Sequence, residues 1–334
     1  MIGAASGRGE NAVRRITRVP MEEWQASDAA SPAPTFFARP GWARALASAD
    51  PRFKVSPARC EFADGTFVDV PLVAERGRLG WTEYSGLPLE TYTIARERGG
   101  ALATPERATE AFRAIVRRLG QRCRITPWPA AYADIDISDC ENRARETSLI
   151  DVSGGAEAAI DRMEGVVRRM AGQAERRGVV CARVADPVSA VDEYYAMLTA
   201  AAARWERGRP SFSKALLRAV VEYGGPDVEI WFARFENAPI AGGVVLFGSE
   251  ELMFWSAAML SEQATLRPSN ALNVALIRRA AERGVRWYNL GSSEGLPGVK
   301  RFKEGLGAFS VAYKTFERTS ALYAAYRKLR AKKK

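Results

Sequence analysis

The residues best suited to chemistry lie near the C-terminal end, in a small-residue loop and a Phe-Lys pair. An apolar and aromatic stretch, which the sequence predicts to be a buried strand, runs out into Gly291, Ser292 and Ser293. A loop of such small residues lets a ligand approach the backbone closely. Phe302 and Lys303 follow after a short turn, so we expect the Lys303 ammonium at the rim of the site that the strand end faces.

The chain contains no histidine. This excludes Ser-His-Asp and Cys-His mechanisms and removes the commonest zinc ligand. Any general base must then be a carboxylate, a tyrosine, a lysine, the substrate or water. The four cysteines have none of the spacings of a zinc site, so no metal is expected; they are Cys60, Cys123, Cys140 and Cys181. Scattered thiols are typical of a reducing cytoplasm, although one of them could be a nucleophile.

The charge balance is basic. The chain has 49 Lys and Arg residues against 39 Asp and Glu residues, a formal net charge of +10. Such a surplus favours an anionic partner, which could be nucleic acid, a phosphorylated cofactor or a membrane surface. A solvated basic surface without a specific partner is the alternative.

Part of this charge is concentrated in a predicted helix over Ala156 to Arg177. Its arginines repeat at a spacing of seven residues, which places them on one helix face, and two more widen the row; they are Arg162, Arg168, Arg169, Arg176 and Arg177. A row of this kind could follow the phosphate backbone of an RNA. A solvated face balanced by Glu164 and Glu175 is the other interpretation.

The pattern of elements predicts an α/β protein with mixed sheets. Three alternating stretches between Val228 and Ala258, separated by turn residues, predict an antiparallel meander. A helix over 268–283 and a strand over 285–290 follow, which completes a β-α-β step. In the N-terminal part, the sequence predicts a helix that begins after Thr104 and a strand over 132–137.

The length of 334 residues is comfortable for two domains. We expect a flexible segment over 1–34, a first domain over 35–147, and a second over 148–334 that ends in a basic tail. No apolar run is long enough to cross a bilayer. The first residues lack the apolar core of a secretory signal, so the expected location is the cytoplasm.

The C-terminal part resembles the FemAB-like acyltransferases, the group of the Fem-type aminoacyltransferases. Three pieces of sequence carry the resemblance in combination, and they are Leu149-Ile150-Asp151-Val152 with the basic helix behind it, Ile240-Ala241-Gly242-Gly243-Val244, and the run from Ala271 through Tyr288-Asn289-Leu290-Gly291 to Phe302-Lys303-Glu304-Gly305. The resemblance covers roughly the last 190 residues of the chain, and the first domain matches only loosely.

The resemblance implies two tandem GNAT-like domains and formation of an amide bond. In this family an amine attacks an acyl group, often an aminoacyl ester on tRNA, and no further cofactor is implied. The acceptor would be a peptide or an amine in cell-wall or natural-product assembly. Two alternatives stay open: a GNAT-type N-acyltransferase that uses acyl-CoA or a carrier-protein thioester, and a non-catalytic module that binds precursor or RNA.

Transfer from an activated ester requires mainly correct placement of the reactants and stabilisation of an oxyanion. Lys303 matches the lysine of the family's Phe-Lys motif, so the resemblance makes it the catalytic candidate, in contact with the oxyanion or with a terminal tRNA phosphate. The candidates for substrate binding are Tyr84, Arg204, Trp205, Trp255, Asn270, Ser292, Ser293 and Phe302, and those for tRNA binding are the five arginines of the predicted helix.

Two short segments of the chain depart from the pattern of the families that it resembles. An acyl-CoA GNAT protein has a Gly-rich pyrophosphate loop before the central helix, but the corresponding segment, Leu266 to Ala271, contains no glycine. This favours a tRNA donor over CoA. The family's usual aspartate before Leu-Gly is Asn289, so no catalytic carboxylate is expected there.

Overall fold

The structure is a computed structural model that describes residues 12–77, 81–85, 91–138, 140–205, 208–293 and 295–331. The chain divides into two compact units. The first contains Met1–Ala33, Phe37–Arg145 and Ala312–Lys334, and the second contains Pro34–Phe36 and Glu146–Val311.

The first unit begins with eight strands and four helices among the described residues. The strands are β1 (Val13–Arg18), β2 (Phe53–Val55), β3 (Ala58–Phe62), β4 (Phe67–Val70), β5 (Val73–Arg76), β6 (Thr82–Ser85), β7 (Arg96–Glu97) and β8 (Arg122–Ile125). The helices are α1 (Met21–Ala30), α2 (Pro40–Ala49), α3 (Pro105–Arg118) and α4 (Pro129–Tyr132). The hydroxyl of Thr104 accepts the Arg107 N–H, which confirms the predicted start of α3.

The middle of the chain builds the second unit. Its strands are β9 (Glu141–Asp151, of which 146–151 belong here), β10 (Val180–Arg183), β11 (Val228–Phe235), β12 (Ala238–Phe247), β13 (Glu251–Met259) and β14 (Trp287–Asn289). Its helices are α5 (Ala156–Asp161), α6 (Gly165–Arg176), α7 (Val191–Ala202), α8 (Lys214–Gly224), α9 (Pro268–Glu282) and α10 (Pro297–Gly305). Strand β15 (Phe309–Thr319) and helix α11 (Ala321–Ala331) follow, and from Ala312 onward they belong to the first unit.

Both units contain the same local strand arrangement. In the second unit, β12 pairs antiparallel with β13, β13 pairs parallel with β14 across the α9 connection, and β14 pairs antiparallel with β9. In the first unit, β5 and β6 are antiparallel, β6 and β8 are parallel, and β8 and β15 are antiparallel. The prediction of two tandem GNAT-like domains of mixed α/β class agrees with this repeat.

The core of the second unit lies between its sheet and helices α6 and α9. Tyr288 and Phe247 are fully buried there, together with the apolar faces of the two helices. Burial of a large apolar side chain stabilises a fold by about 1.5–3 kcal/mol. The strands that carry the site therefore rest on a rigid base.

The observed units differ from the expected domain boundaries. Residues 12–33 form β1 and α1 within the first unit, whereas the sequence suggested a flexible segment over 1–34, of which residues 1–11 lie outside the described residues. The chain also returns to the first unit at Ala312, because Phe316 and its neighbours pair with β8. Such a long-range pairing has no local sequence signal.

Two predicted elements are wrong in detail. The strand expected over 132–137 is replaced by the short helix α4 and a turn, because Pro129 takes the first position of a helix and the buried Tyr132 hydroxyl donates to the Ala95 carbonyl oxygen. The long helix expected over 156–177 is interrupted between α5 and α6. At the interruption, Glu164 has an extended backbone and its N–H donates to the Gly305 carbonyl oxygen.

In the described part of the chain, no helix is both long and apolar enough to cross a membrane.

Candidate functional site

The site begins where two parallel strands separate. Strands β13 and β14 pair only from Glu251 to Met253, because β14 is three residues long and ends at Asn289. On its other side, β13 contains a bulge, since Trp255 is inserted between the residues that pair with Val244 and Val245. Bulges bend a strand, and the bend coincides with the point where β13 loses β14 as a neighbour.

A cavity of about 260 Å³ lies along this part of β13. Small and aromatic side chains form most of its wall, together with the first turns of α9 and the end of α7; the lining residues are Ala201, Arg204, Trp205, Gly242, Phe254, Ala257, Ala258, Met259, Ser269, Leu272, Asn273 and Phe302. The sequence analysis predicted three of these residues, Arg204, Trp205 and Phe302.

Glycine at position 243 leaves the space that the aromatic wall of the cavity requires. A Cβ at Gly243 would lie 2.1 Å from Cε2 of Phe254, so only glycine leaves room for this ring. The polar wall is fixed by buried hydrogen bonds: the Asn273 side-chain amide donates to the Ser269 carbonyl oxygen, and its Oδ1 accepts from the Tyr288 hydroxyl at 2.8 Å. Asn273 thus presents an oriented amide beside the cavity.

Arg204 and Trp205 stand at the mouth, just after α7. An Nη2 hydrogen of Arg204 bonds to the Met259 carbonyl oxygen at 2.8 Å, which anchors the guanidinium at the end of β13. The Trp205 side chain is 43% exposed. These two residues therefore give the entrance one fixed cation and one aromatic surface.

The loop after β14 is held from below by Lys303. Its ammonium donates to the carbonyl oxygens of Gly291 and Ser292, at 2.9 and 2.8 Å. The lysine is only 7% exposed, so it lies beneath the loop and not at the rim where the sequence analysis placed it. Its neighbour Phe302 lines the cavity instead, because consecutive residues of α10 point in different directions.

A buried polar network fixes the same loop from the strand side. Oδ1 of Asn289 accepts from the Gly291 N–H and the Thr147 hydroxyl, and its amide donates to Oε1 of Glu251 at 2.7 Å. The N–H of Ser148 also bonds to the Gly291 carbonyl oxygen. An amide at 289 can accept and donate at once, which a carboxylate cannot, so asparagine suits this buried position.

The two loop serines differ in exposure. Ser292 is half-buried. Ser293 is 3% exposed, and its hydroxyl has no hydrogen-bond partner among the described residues. Neither lines the cavity as described, so their role in substrate binding stays a prediction.

The first turn of α9 offers few backbone donors to a phosphate. Pro268 has no amide hydrogen, and the amides of Asn270 and Ala271 both donate to the Arg267 carbonyl oxygen. Asn270 itself is buried, at the base of this turn. Asn270, which the sequence analysis expected to bind substrate, therefore follows the cavity residue Ser269 but has its side chain buried in the protein.

Two predicted aromatic residues lie apart from the cavity wall. Trp255 is half-buried and stacks on Phe212, with ring centroids 4.3 Å apart. The Phe212 carbonyl oxygen accepts from the Tyr195 hydroxyl, which fixes the stacked pair against α7. Tyr84 belongs to the first unit, on β6 opposite Cys123.

The five arginines predicted to bind tRNA are all exposed. Arg169 and Arg176 share one face of α6, as expected, but Arg162 lies in the interruption after α5 and donates to the Asp151 carbonyl oxygen. Arg168 pairs with Asp161. Arg177 donates to the Thr265 carbonyl oxygen at 3.0 Å, which brings the end of α6 next to the segment that leads into α9.

The cysteines are poor nucleophiles in this fold. Burial raises the pKa of Cys60, Cys123 and Cys181 to about 12, and it also raises the pKa of Cys140. The reactive form of cysteine is the thiolate. The alternative of a catalytic cysteine therefore finds no support.

Sequence reasoning missed the cavity residues Ala257, Ser269 and Asn273. One signal of a cavity was the pair of small residues Ala257 and Ala258, because they end a strand that is otherwise rich in large apolar residues. The spacing of Ser269 and Asn273, one helical turn apart, was a second signal. Both signals become interpretable only once the structure shows that β13 loses its pairing with β14 beyond Met253.

Comparison with known proteins agrees with this geometry. A family model described as an acetyltransferase (GNAT) domain matches residues 162–304. The solved structure of FemX is similar with a TM-score of 0.65 and 11% identity, over 90% of this chain and 96% of that one. The C-terminal domain of a putative lysylphosphatidylglycerol synthetase from Agrobacterium fabrum is similar with a TM-score of 0.56 and 13% identity, over 93% and 95% of the two chains.

A conserved protein of unknown function from Bacteroides thetaiotaomicron is also similar, with a TM-score of 0.55 and 9% identity over 91% of this chain and 98% of that one. No curated protein matches the sequence. At these identities the structural likenesses establish the fold. Residues 162–304 therefore match a GNAT domain model, and the chain has a GNAT-like fold similar to that of FemX.

Proposed function

We propose that the protein transfers an aminoacyl group from an aminoacyl-tRNA to the amine of a peptide, cell-wall or natural-product acceptor. The observation that carries the proposal is the position of the basic helix α6. Its arginines are exposed, and Arg177 reaches the Thr265 carbonyl oxygen, four residues before the cavity residue Ser269. A phosphate backbone on α6 would thus run toward the cavity.

The size of the cavity supports the same donor. At about 260 Å³ it is smaller than the roughly 300–1,000 Å³ of typical small-molecule pockets. It suits the reacting acyl group, with the rest of the donor on the surface outside. The few free amides at the start of α9 likewise disfavour a bound pyrophosphate, which requires several backbone donors.

The chemistry needs little from the protein. The acceptor nitrogen attacks the ester carbonyl carbon, the bond from that carbon to the ribose oxygen breaks, and the nitrogen loses a proton while the ribose oxygen gains one. The described residues that line the cavity include no carboxylate, tyrosine or lysine, and in this proposal the substrate or water carries the proton. The protein contributes orientation, through the fixed Asn273 amide and the Arg204 guanidinium.

One observation favours a second donor. Beyond Met253, the edge of β13 that faces the cavity has no strand partner within the described residues. An extended amide-containing arm, such as that of CoA or of a carrier protein, could add to this edge by main-chain hydrogen bonds. An acyl thioester is therefore the alternative donor. The remaining alternative is that the protein is a non-catalytic binding module.

The test is a transfer assay with the full chain, a pool of tRNA charged with labelled amino acids and a mixture of candidate amines. We expect labelled amide product that disappears when the tRNA is digested with ribonuclease beforehand. Product from acetyl-CoA or another thioester, with none from charged tRNA, would contradict the proposal. Tight binding of RNA with no product from any donor would favour the binding module.

A pair of variants tests the basic helix. Arg169→Gln with Arg176→Gln should weaken tRNA binding and lower the slope of log affinity against log salt by about one per arginine. Arg218→Gln is the matched control, because Arg218 is a half-buried arginine of the same unit that pairs with Asp192 at the surface. Equal effects of the two changes would remove the support that α6 gives to a tRNA donor.

A further inference from the structure

Helix α11 exposes two leucines on one face. Leu322 is 73% and Leu329 is 65% exposed, more than any other large hydrophobic side chain in the described ranges. They are seven residues apart, so they lie on the same side of the helix. The exposed Ala325 lies between them. The result is a continuous apolar stripe that faces away from the rest of the first unit.

The stripe does not result from loose packing of the helix. Tyr323 lies on a different face from the leucines and is 6% exposed; its ring and that of Tyr326 lie 4.8 and 4.9 Å from the ring of Trp81. The Tyr323 hydroxyl also donates to Glu83. The helix is therefore anchored on one side while its leucines remain uncovered.

The same segment is strongly cationic. Six of the eight residues from Arg327 to Lys334 are lysine or arginine, and none is acidic. Lys328 is exposed directly beside Leu329. A helix that combines a cationic surface with an exposed apolar stripe is typical of segments that lie in the interface of a membrane.

We propose that α11 binds the surface of an anionic membrane, with Leu322 and Leu329 inserted at the level of the acyl chains and the basic residues among the lipid headgroups. The charge of the segment is complementary to anionic lipid. The ring cluster of Trp81, Tyr323 and Tyr326 at the base of the helix is of the kind that favours the boundary between water and lipid.

The leucines distinguish a membrane from RNA as the partner. A phosphate backbone is bound by charge and hydrogen bonds, and two exposed leucines contribute nothing to such contacts. An anionic membrane can bind both the exposed leucines, through its acyl chains, and the basic residues, through its headgroups. Because the contact is a short stripe plus a few charges, binding should be reversible and sensitive to salt.

The experiment is flotation of the full chain with vesicles of phosphatidylcholine, with and without phosphatidylglycerol. We expect binding only to the anionic vesicles. Leu322→Ser with Leu329→Ser should reduce the bound fraction about tenfold, as should Lys328→Gln with Arg330→Gln. Val180→Ser is the matched control, because Val180 is 62% exposed on β10 of the second unit, and it should leave binding unchanged.

Three results would overturn the proposal. One is equal binding to both kinds of vesicle or to neither. Another is a leucine variant that binds anionic vesicles as well as the unchanged chain while remaining folded by circular dichroism. The third is a dimer in the absence of lipid that the leucine variant abolishes, which would make the stripe a protein interface. None of these results bears on aminoacyl transfer, which uses the second unit.

Discussion

The ammonium of Lys303 donates a 2.8 Å hydrogen bond to the carbonyl oxygen of Ser292, from beneath the loop that follows β14. A second bond to the Gly291 carbonyl oxygen makes the lysine a two-point support of this loop. The relationship changes the interpretation of the Phe-Lys pair: Phe302 forms the cavity wall, and Lys303 positions the loop beside it. Helix α10 thus holds a wall and a loop of the site together.

Replacement of Lys303 by methionine tests this positioning role. The change removes the two donors at nearly constant side-chain length and leaves the carbonyl oxygens beneath the loop without them. We expect a loss of about 1–3 kcal/mol in the free energy of unfolding and a fall of about 10²-fold in the rate of transfer, because the loop shifts. Urea unfolding and steady-state kinetics measure the two effects.

Lys300→Met is the control for this experiment, since Lys300 lies on the same helix but is more exposed and pairs with Glu146. It should change both quantities much less. If Lys303→Met abolishes transfer while the stability stays that of the unchanged chain, the lysine acts directly on the substrate, and the positioning role is wrong.

Gly291 gives a second test of the loop. Its φ of +72° lies in the left-handed region, and an added Cβ would lie 3.3 Å from the Met253 Cε. Gly291→Ala should therefore cost about 1–2 kcal/mol in stability and reduce transfer by displacing the loop. Thermal unfolding and the transfer assay measure this.

Gly298→Ala is the comparison, because Gly298 lies in the first turn of α10 with open space around it and an ordinary φ. Alanine there should preserve activity and leave the stability unchanged or slightly increased. A Gly291→Ala chain with normal activity would show that the loop conformation is irrelevant to transfer.

Much of this architecture could be predicted from the sequence, because the second unit is built from local patterns. The meander is visible in three alternating strands with turn residues between them, and α9 starts at Pro268 as predicted. The resemblance to FemAB-like proteins, which rested on the order of short motifs, is confirmed at the level of the GNAT domain and the fold.

What could not be predicted depends on contacts distant in sequence. The return of β15 to pair with β8 involves residues almost 200 positions apart, as for Phe316 and Ile125. The break between α5 and α6 depends on the Glu164 N–H bond to the Gly305 carbonyl oxygen. The burial of Lys303 depends on how α10 packs under a loop. None of these features leaves a periodic pattern in the chain.

The thiols give a prediction about reactivity. Burial raises the pKa of Cys60, Cys123 and Cys181 to about 12. At pH 8 only about one in 10⁴ of these groups is thiolate, so iodoacetamide should label them very slowly in the native protein and rapidly in denaturant. Mass spectrometry follows the labelling, and transfer activity should survive it. Rapid inactivation by the reagent would restore a cysteine to the list of catalytic candidates.

The ion-pair network of the first unit predicts how stability depends on pH. Glu317 on β15 accepts two hydrogen bonds from the Arg122 guanidinium, at 2.7 and 3.0 Å, and Arg122 also pairs with Glu83. Burial by itself would raise the pKa of Glu317, but the hydrogen bonds and charge of Arg122 bring it below its usual value. A lowered pKa in the folded state means that the carboxylate stabilises the fold above the unfolded pKa of about 4.3, and that this stabilisation is lost as the pH falls through the folded pKa.

Glu317→Gln should therefore destabilise the protein at pH 7 by about 1–2 kcal/mol, and the difference from the unchanged chain should shrink steadily as the pH is lowered below 4. Urea unfolding at a series of pH values measures the difference. Glu141→Gln, at an exposed position at the start of β9, is the control and should show no such dependence. A difference for Glu317→Gln that stays constant from pH 7 to pH 3 would mean that the charge of this carboxylate does not stabilise the pairing of β15 with β8.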